Sequence, residues 1–227
     1  IQIYEQRFIN EKNRGLLMKK TIIVTAYIDR LSTIKGLHNF DSCIAADGGY
    51  LNANKIGLAP DVIIGDFDSS QLPKKSNAEI LALPMEKDFT DTEAALDLAI
   101  KRGSEHVIII GGLGRRFDHT LANLGILAKY YKKLSHLAFM DGYNYVYMLS
   151  PGSYRLQKKI YGTEYKYLGV SSYSEYCENL SIKGCKYPLE DYTLPKVTSL
   201  GASNEIISYD AEISFSKGEI IITHSND

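Results

Sequence analysis

The sequence contains no tryptophan and only three cysteines among 227 residues. Cys43, Cys177 and Cys185 are too scattered for a disulfide framework or a Cys-x-x-Cys metal site, which makes a reducing cytoplasm the expected compartment. No apolar run approaches the length of a membrane span, so we expect no membrane partner. The net charge of −1 argues weakly against a dedicated nucleic-acid-binding protein, because such proteins carry a basic surface.

Length and composition are otherwise those of an ordinary globular protein. The chain is long enough for one large domain or two modest ones. It is 44% hydrophobic and 23% charged, close to the average for such proteins. Residues 1–17 precede Met18, are polar and lack the apolar segment of a signal peptide. We expect them to be an upstream extension or expression remnant and leave them out of the fold prediction.

Two different patterns follow Met18. Over residues 18–142, apolar strand-like runs alternate with amphipathic helical patterns, which predicts parallel βαβ units and a Rossmann-like α/β domain with a parallel sheet. Over residues 143–227, short strand-like runs are separated by turn signals such as Pro151-Gly152, and no convincing helix occurs. This second pattern predicts an antiparallel β-sandwich domain.

Two acids follow the apolar run 62–64, which suits a buried strand. Gly65 ends the run, and Asp66 and Asp68 come next, two residues apart. In an extended segment their side chains point to the same side, and they repel each other unless a cation or proton intervenes. Ligands bind at this edge of open α/β sheets, and Mg²⁺ prefers oxygen ligands, so the pair is a candidate Mg²⁺ site. A solvated turn is the alternative.

A second acid stands at the end of another strand-like run, residues 43–46. Asp47 is followed by Gly48 and Gly49, which allow a ligand to approach the backbone closely. Asp47 can accept a hydrogen bond from a sugar hydroxyl or lie near a metal. The alternative is an Asp that caps a helix in a tight turn.

A third acidic cluster lies at the start of a predicted helix over 91–102. Asp88 and Asp91 are three residues apart, and Lys87 beside them can neutralise phosphate or balance the acids. Asp91 also has a structural interpretation, because the helix dipole favours negative charge at a helix start. The carboxyl ends of successive strands lie side by side, so this cluster and Asp66 are expected to meet.

A glycine-rich loop over 111–114 joins a strand-like run to a helical pattern beginning at Phe117. Such a loop cradles phosphate with backbone N–H groups, and Arg115 or Arg116 can bind phosphate oxygens through the planar guanidinium. The loop is neither a Walker A motif nor a clean dinucleotide fingerprint. A surface loop with solvated arginines is the alternative, and His119 is expected to be structural rather than a general base. Carboxylates for Mg²⁺ together with glycines and arginine for polyphosphate suit phosphoryl transfer.

The four segments together resemble the thiamine pyrophosphokinase family in order and spacing, and the resemblance extends over residues 18–227. It implies an α/β domain followed by a β-sandwich, and a homodimer whose active sites are shared between subunits. It also implies transfer of a diphosphoryl group from ATP to the hydroxyl of thiamine, which gives AMP and thiamine diphosphate. The segments that carry the resemblance are 47–49, 65–69, 87–91 and 111–123.

The resemblance also implies roles for individual residues. Asp66, Asp68 and Asp91 are expected to hold Mg²⁺, with Asp88 close by as a further catalytic residue. Ser203 and Asn204 in the sandwich fall on the family's thiamine-side segment. The expected nucleotide-binding residues are Asp47, Gly48, Gly49, Lys87, Arg116, Asp118 and Asn123.

The sequence departs from the family pattern in two places. Arg115 stands where the family often has another glycine, which alters the loop or adds a phosphate contact. No tryptophan is available to stack on thiamine, as one does in some members. The competing hypothesis is a nucleotide- or thiamine-binding protein that kept the fold without turnover.

Overall fold

The computed structural model describes residues 18–67 and 76–227. The chain forms two compact units that meet in sequence between Tyr143 and Asn144. We call 18–143 the α/β unit and 144–227 the sandwich unit. The extension 1–17 and the predicted metal ligand Asp68 lie outside the described residues. Among the helices of the described ranges, none has both the length and the apolar character that a transmembrane segment needs.

The α/β unit is built on six parallel strands in the order β6-β5-β1-β2-β3-β4. The strands are β1 (Lys20–Val24), β2 (Ser42–Ala46), β3 (Val62–Gly65), β4 (Glu79–Ala82), β5 (His106–Ile110) and β6 (His136–Met140). The α-helices are α1 (Gly49–Lys55), α2 (Asp91–Lys101) and α3 (Phe117–Tyr130).

The central strands are continuous apolar runs because helices cover both faces of such a sheet. Every residue of β5 is buried, and so are all but the first residue of β1 and β2. The chain runs outward from β1 through β2 and β3 to β4, then returns to place β5 on the other side of β1. The strand order therefore reverses between β1 and β5, which is where open α/β sheets bind their ligands.

Helix α2 begins as its sequence predicts. The Thr90 side chain accepts a hydrogen bond from the Glu93 backbone N–H at 3.2 Å, which satisfies one of the otherwise unpaired donors of the first turn. The cap fixes where the helix starts. Because Asp91 is its first residue, the cap also fixes the position of that carboxylate.

Two details of the unit differ from expectation. The sequence places Leu121, Leu124 and Ala128 at helical spacing, but helix α3 buries Asn123, Ile126, Leu127 and Tyr130 and leaves Leu121 exposed. Apolar residues are frequent along the sequence of this helix, so their spacing is compatible with more than one buried face. Strand β4 was not predicted, because it is a mostly exposed edge strand with a single β-branched residue, Ile80.

The sandwich unit contains two antiparallel sheets, ordered β14-β11-β16-β7 and β13-β12-β15-β8, and a short pair β9-β10. In β12 and β15 buried and exposed residues largely alternate, as expected for sheets with one face on a core. The predicted fold class is confirmed. The strands are β7 (Asn144–Leu149), β8 (Gly152–Gln157), β9 (Lys159–Ile160), β10 (Thr163–Glu164), β11 (Tyr167–Ser172), β12 (Tyr176–Lys183), β13 (Leu189–Pro195), β14 (Asn204–Glu205), β15 (Asp210–Phe215) and β16 (Ile220–Ser225).

Candidate active site

A cleft of about 450 Å³ opens at the carboxyl edge of the parallel sheet, within the α/β unit. Its walls come from the segments that follow β1, β2, β4 and β5 and from the starts of α2 and α3. The cleft therefore lies at the reversal of strand order between β1 and β5. Among the side chains that line it are Thr25, Tyr27, Asp47, Lys87, Asp91 and Arg115.

Two strand ends are packed closely enough to bring their acids together. A Cβ on Gly65, the last residue of β3, would lie only 3.0 Å from the Asp47 Cα, so a larger residue would force the two strand ends apart. The Asp47 backbone N–H also donates to the Ile64 carbonyl at 2.8 Å. Asp47 and Asp66 are thereby held at adjacent strand ends.

Lys87 joins the predicted acids into a single charge cluster. Its Nζ lies 2.5 Å from Asp66 Oδ2 and 3.1 Å from Asp91 Oδ1. The side chains of Lys87, Asp66 and Asp91 are 7%, 15% and 21% exposed. One buried ammonium group thus balances two mostly buried carboxylates, which would otherwise repel each other.

The charge balance within this cluster is incomplete. Burial lowers the pKa of the Lys87 ammonium, but the hydrogen bond to Asp66 and the contact with the charges of Asp91 and Asp66 outweigh it, so the pKa is raised. Burial raises the pKa of the Asp91 carboxyl; Lys87 opposes this, while the charges of Asp66 and Asp47 add to it, and the pKa is raised. Asp91 Oδ1 lies within ion-pair distance of Lys87, yet it is buried and accepts no well-aligned hydrogen bond.

These residues fit a hard divalent cation. The ligand atoms are carboxylate oxygens, and the buried Asp91 Oδ1, which meets Lys87 at 3.1 Å without a well-aligned hydrogen bond, is an acceptor that a cation would satisfy. Within 18–67 and 76–227, no group of three His, Cys, Asp or Glu side chains is arranged to hold a metal ion. Mg²⁺ does not need three, because it is commonly bound by one or two carboxylates together with waters and substrate phosphates. Asp68, the third expected ligand, lies outside the described residues.

The glycine-rich loop is fixed from beneath by a buried amide. Asn123 Nδ2 donates to the Gly112 carbonyl at 2.7 Å, and Asn123 is 5% exposed. A Cβ on Gly111 would lie 2.2 Å from both Thr25 Oγ1 and the Tyr27 carbonyl, and φ there is +94°, so only glycine fits. Asn123 therefore shapes the loop, and its predicted contact with nucleotide remains a prediction.

Two other predicted nucleotide-side residues bind each other. Arg116 Nη2 lies 2.6 Å from Asp118 Oδ2, and its Nε lies 3.2 Å from Oδ1. The pair is exposed, and the hydrogen bond to Asp118 raises the pKa of Arg116 while that of Asp118 is lowered. Arg116 lines the cleft, whereas Asp118 and Asp88 are not among the lining residues.

The glycines after Asp47 have a packing reason of their own. Gly48 precedes α1, and a Cβ on Gly49 would lie 2.0 Å from the Val24 carbonyl oxygen. Glycine thus lets the start of α1 sit against the end of β1. The predicted contacts of Gly48 and Gly49 with nucleotide stay predictions.

The segment after β1 also lines the cleft, and sequence reasoning did not single it out. Thr25, Ala26 and Tyr27 belong to the wall, together with the partly exposed Phe89. Tyr27 donates its hydroxyl hydrogen to Asp29 Oδ1 at 2.8 Å, which fixes the ring. These residues reach the cleft because β1 lies beside β5, and this strand order cannot be read from local sequence patterns.

In the sandwich unit, Ser203 and Asn204 have contrasting environments. Ser203 is exposed, with φ of 57° in the left-handed region. Asn204 is buried, accepts from the Tyr187 backbone N–H at 2.9 Å and donates to the Tyr187 carbonyl at 2.7 Å. The amide of Asn204 thus has a structural role in fixing Tyr187. Substrate binding by either residue stays a prediction.

Both units match known protein families. The model of the thiamin pyrophosphokinase catalytic domain matches residues 35–139, and that of the thiamin pyrophosphokinase vitamin B1 binding domain matches residues 153–220. Thiamine pyrophosphokinase of Bacillus subtilis is 32% identical over 189 residues, which cover 81% of this chain and 87% of that protein. The chain belongs to the thiamin pyrophosphokinase family.

Solved structures of the family share the fold. The crystal structure of thiamine pyrophosphokinase from Bacillus subtilis matches with a TM-score of 0.78 at 27% identity, covering 92% of this chain and 99% of that one. A thiamin pyrophosphokinase family protein from Enterococcus faecalis matches with a TM-score of 0.78 at 30% identity and the same coverage. The family resemblance inferred from the sequence motifs is confirmed.

Proposed function

We propose that this member of the thiamin pyrophosphokinase family transfers the diphosphoryl group of ATP to the hydroxyl of thiamine in a Mg²⁺-dependent reaction, giving AMP and thiamine diphosphate. The observation that carries the proposal is the Lys87 cluster at the cleft, where one ammonium bridges Asp66 and Asp91. A cluster of this kind serves phosphoryl transfer, in which positioning and charge neutralisation do most of the work.

Each residue of the cluster has a role in the proposed reaction. Asp66 and Asp91 would hold Mg²⁺, with Asp68 as the third expected ligand. The metal would neutralise charge on the phosphate oxygens. The Lys87 ammonium, released in part from the carboxylates, would pair with a phosphate oxygen and keep the nucleotide against the cleft wall. The thiamine hydroxyl oxygen would then bond to the β-phosphorus and lose its proton to solvent or a base, while the bond from the β-phosphorus to the α–β bridging oxygen breaks and AMP leaves with that oxygen.

The identity of the nucleotide product tests this proposal directly. With ATP, Mg²⁺ and thiamine, we expect AMP and thiamine diphosphate in equal amounts, separated and quantified by chromatography. No product should form when EDTA replaces Mg²⁺. Formation of ADP in place of AMP would contradict diphosphoryl transfer. Binding of thiamine or ATP in calorimetry without any product would favour the non-catalytic alternative.

We also propose that the chain acts as a homodimer whose active sites each combine the α/β unit of one subunit with the sandwich of the other. The family resemblance implies this arrangement. We expect the interface to cover some of the large apolar side chains that the sandwich unit leaves exposed. Examples are Val197, Ile207 and Tyr209, which are 94%, 69% and 91% exposed.

The buried free thiols of all three cysteines are in keeping with the expected cytoplasmic location.

Subunit mixing tests the shared site. Asp66→Asn damages the metal side, and Ser203→Lys obstructs the expected thiamine side, so each homodimer should be inactive. In random heterodimers one of the two sites combines both intact halves. The mixture should therefore recover about a quarter of wild-type activity after subunit exchange, on the symmetry of a twofold dimer. Mixing that restores no activity, although sedimentation shows heterodimers, would contradict a shared site.

A further inference from the structure

Arg115 projects its charge into the cleft from the glycine-rich loop. It belongs to the residues that line the cleft, and its guanidinium carbon lies 5.2 Å from the centre of the Tyr27 ring. A guanidinium stacked on an aromatic face is held by cation–π attraction while its N–H groups stay available at the edge. The Tyr27 ring is itself fixed by the hydrogen bond to Asp29.

The neighbouring arginine is engaged differently. Arg116 uses two guanidinium nitrogens to bind Asp118. By contrast, none of the ion pairs within 18–67 and 76–227 involves Arg115. Of the two adjacent arginines, Arg115 is therefore the one whose planar set of donors faces the cleft outside any ion pair among the described residues.

Arg115 is also held in an unfavourable backbone conformation. Its φ is 51°, and it follows Gly114 at φ 77° in a loop where Gly111 and Gly112 also have positive φ. A glycine would adopt this conformation without strain, and a residue with a Cβ does not. Strained residues of this kind concentrate at ligand-binding sites, where the side chain has a use that offsets the strain.

We propose that Arg115 binds a phosphate oxygen of the nucleotide substrate, and that Tyr27 holds its guanidinium in position to do so. The inference rests on the proposed reaction for the nature of the ligand, and it adds a residue that the family resemblance does not supply. It places one cation on the loop wall of the cleft in addition to Lys87 at the acidic cluster. The nucleotide phosphates would then be held from both sides.

The decisive variant is Arg115→Gly, because glycine suits the left-handed backbone. We expect the dissociation constant of ATP, measured by calorimetry, to rise about tenfold through loss of a charge-assisted hydrogen bond. The affinity for adenosine should not change, since adenosine carries no phosphate. The KM for ATP should rise with little change in kcat, and the unfolding temperature should be kept or raised. Arg115→Asn, whose side chain tolerates the same backbone, provides a second neutral variant if the glycine variant folds poorly.

Arg30→Gly is the matched control. Arg30 also has a left-handed backbone, with φ of 42°, and its guanidinium lies 4.2 Å from the Tyr143 ring centre, but it is not among the residues that line the cleft. Its replacement should leave ATP affinity unchanged. Unchanged ATP affinity in Arg115→Gly would overturn the proposal, and so would an equal loss of affinity for ATP and adenosine. If the wild-type chain made no AMP, the calorimetric comparison would still test Arg115, because it requires no turnover.

Discussion

Replacing Asp66 by asparagine should lower kcat at saturating ATP and thiamine by at least about 100-fold. The substitution keeps the shape of the side chain but removes the carboxylate that contacts Lys87 Nζ. Metal ions contribute several kcal/mol of charge stabilisation in such reactions, and each 1.36 kcal/mol corresponds to a tenfold change in rate. The predicted loss therefore belongs to the chemical step rather than to folding.

A binding measurement separates this effect from misfolding. Mg²⁺ with a nucleotide should raise the unfolding temperature of the wild-type protein, and Asp66→Asn should lose most of that increase while its metal-free unfolding temperature changes little. Glu86→Gln is the matched control, since Glu86 is an exposed acid next to Lys87 in sequence and stands outside the cluster of Lys87, Asp66 and Asp91. Turnover of Asp66→Asn within threefold of wild type would exclude Asp66 as a metal ligand.

The meeting of Asp66, Lys87 and Asp91 could be predicted because it depends on local signals. Asp66 follows an apolar strand-like run, Asp91 begins a capped helix that Lys87 closely precedes, and parallel strands end at the same edge of a sheet. The balancing role of Lys87 was also predictable, because two acids that approach each other need a cation. The structure adds the distances from Lys87 to the two carboxylates and the burial of all three side chains, which together define one charge cluster.

Other parts of the site depend on strand order, which local patterns do not specify. Tyr27 reaches the cleft only because β1 lies beside β5, and the two strands are far apart in sequence. Asn123 was expected to contact nucleotide, but only the folded loop reveals that its amide binds the Gly112 carbonyl. The amide of Asn204 is likewise occupied by Tyr187, a partner that depends on how the strands pair. Long-range contacts of this kind are decided by tertiary packing.

Replacing Lys87 by methionine should destabilise the metal-free protein by about 2–4 kcal/mol, because it leaves two mostly buried carboxylates without their cation. Methionine retains the apolar stem, so the loss reports the charge. Turnover should also fall, since the proposed phosphate contact is removed. The free energy of unfolding from urea titrations at pH 4.5 and pH 8 measures the stability change.

The pKa of Asp91 decides how the stability of Lys87→Met should change with pH. Its pKa is already raised in the folded protein by burial, and Lys87 is what holds it down. Without Lys87 the folded-state pKa rises further, so the folded protein binds more protons than the unfolded chain. The stabilisation that comes from binding this proton is fully present below the pKa of Asp91 in the unfolded chain. It is lost as the pH rises through the higher pKa of Asp91 in the folded protein. The free energy of unfolding of Lys87→Met should therefore fall further below that of the wild type at pH 8 than at pH 4.5.

Mg²⁺ should reverse part of this loss. In the wild-type protein a divalent cation must displace the Lys87 ammonium from Asp66 and Asp91, whereas in Lys87→Met it meets two uncompensated carboxylates. Added Mg²⁺ should thus raise the unfolding temperature of Lys87→Met more than that of wild type. Lys87→Arg keeps a positive charge and should show neither the pH effect nor the larger Mg²⁺ response. Equal destabilisation at both pH values, with no additional response to Mg²⁺, would contradict this prediction. Lys87 would then stabilise the fold by packing and not by neutralising the carboxylates of Asp66 and Asp91.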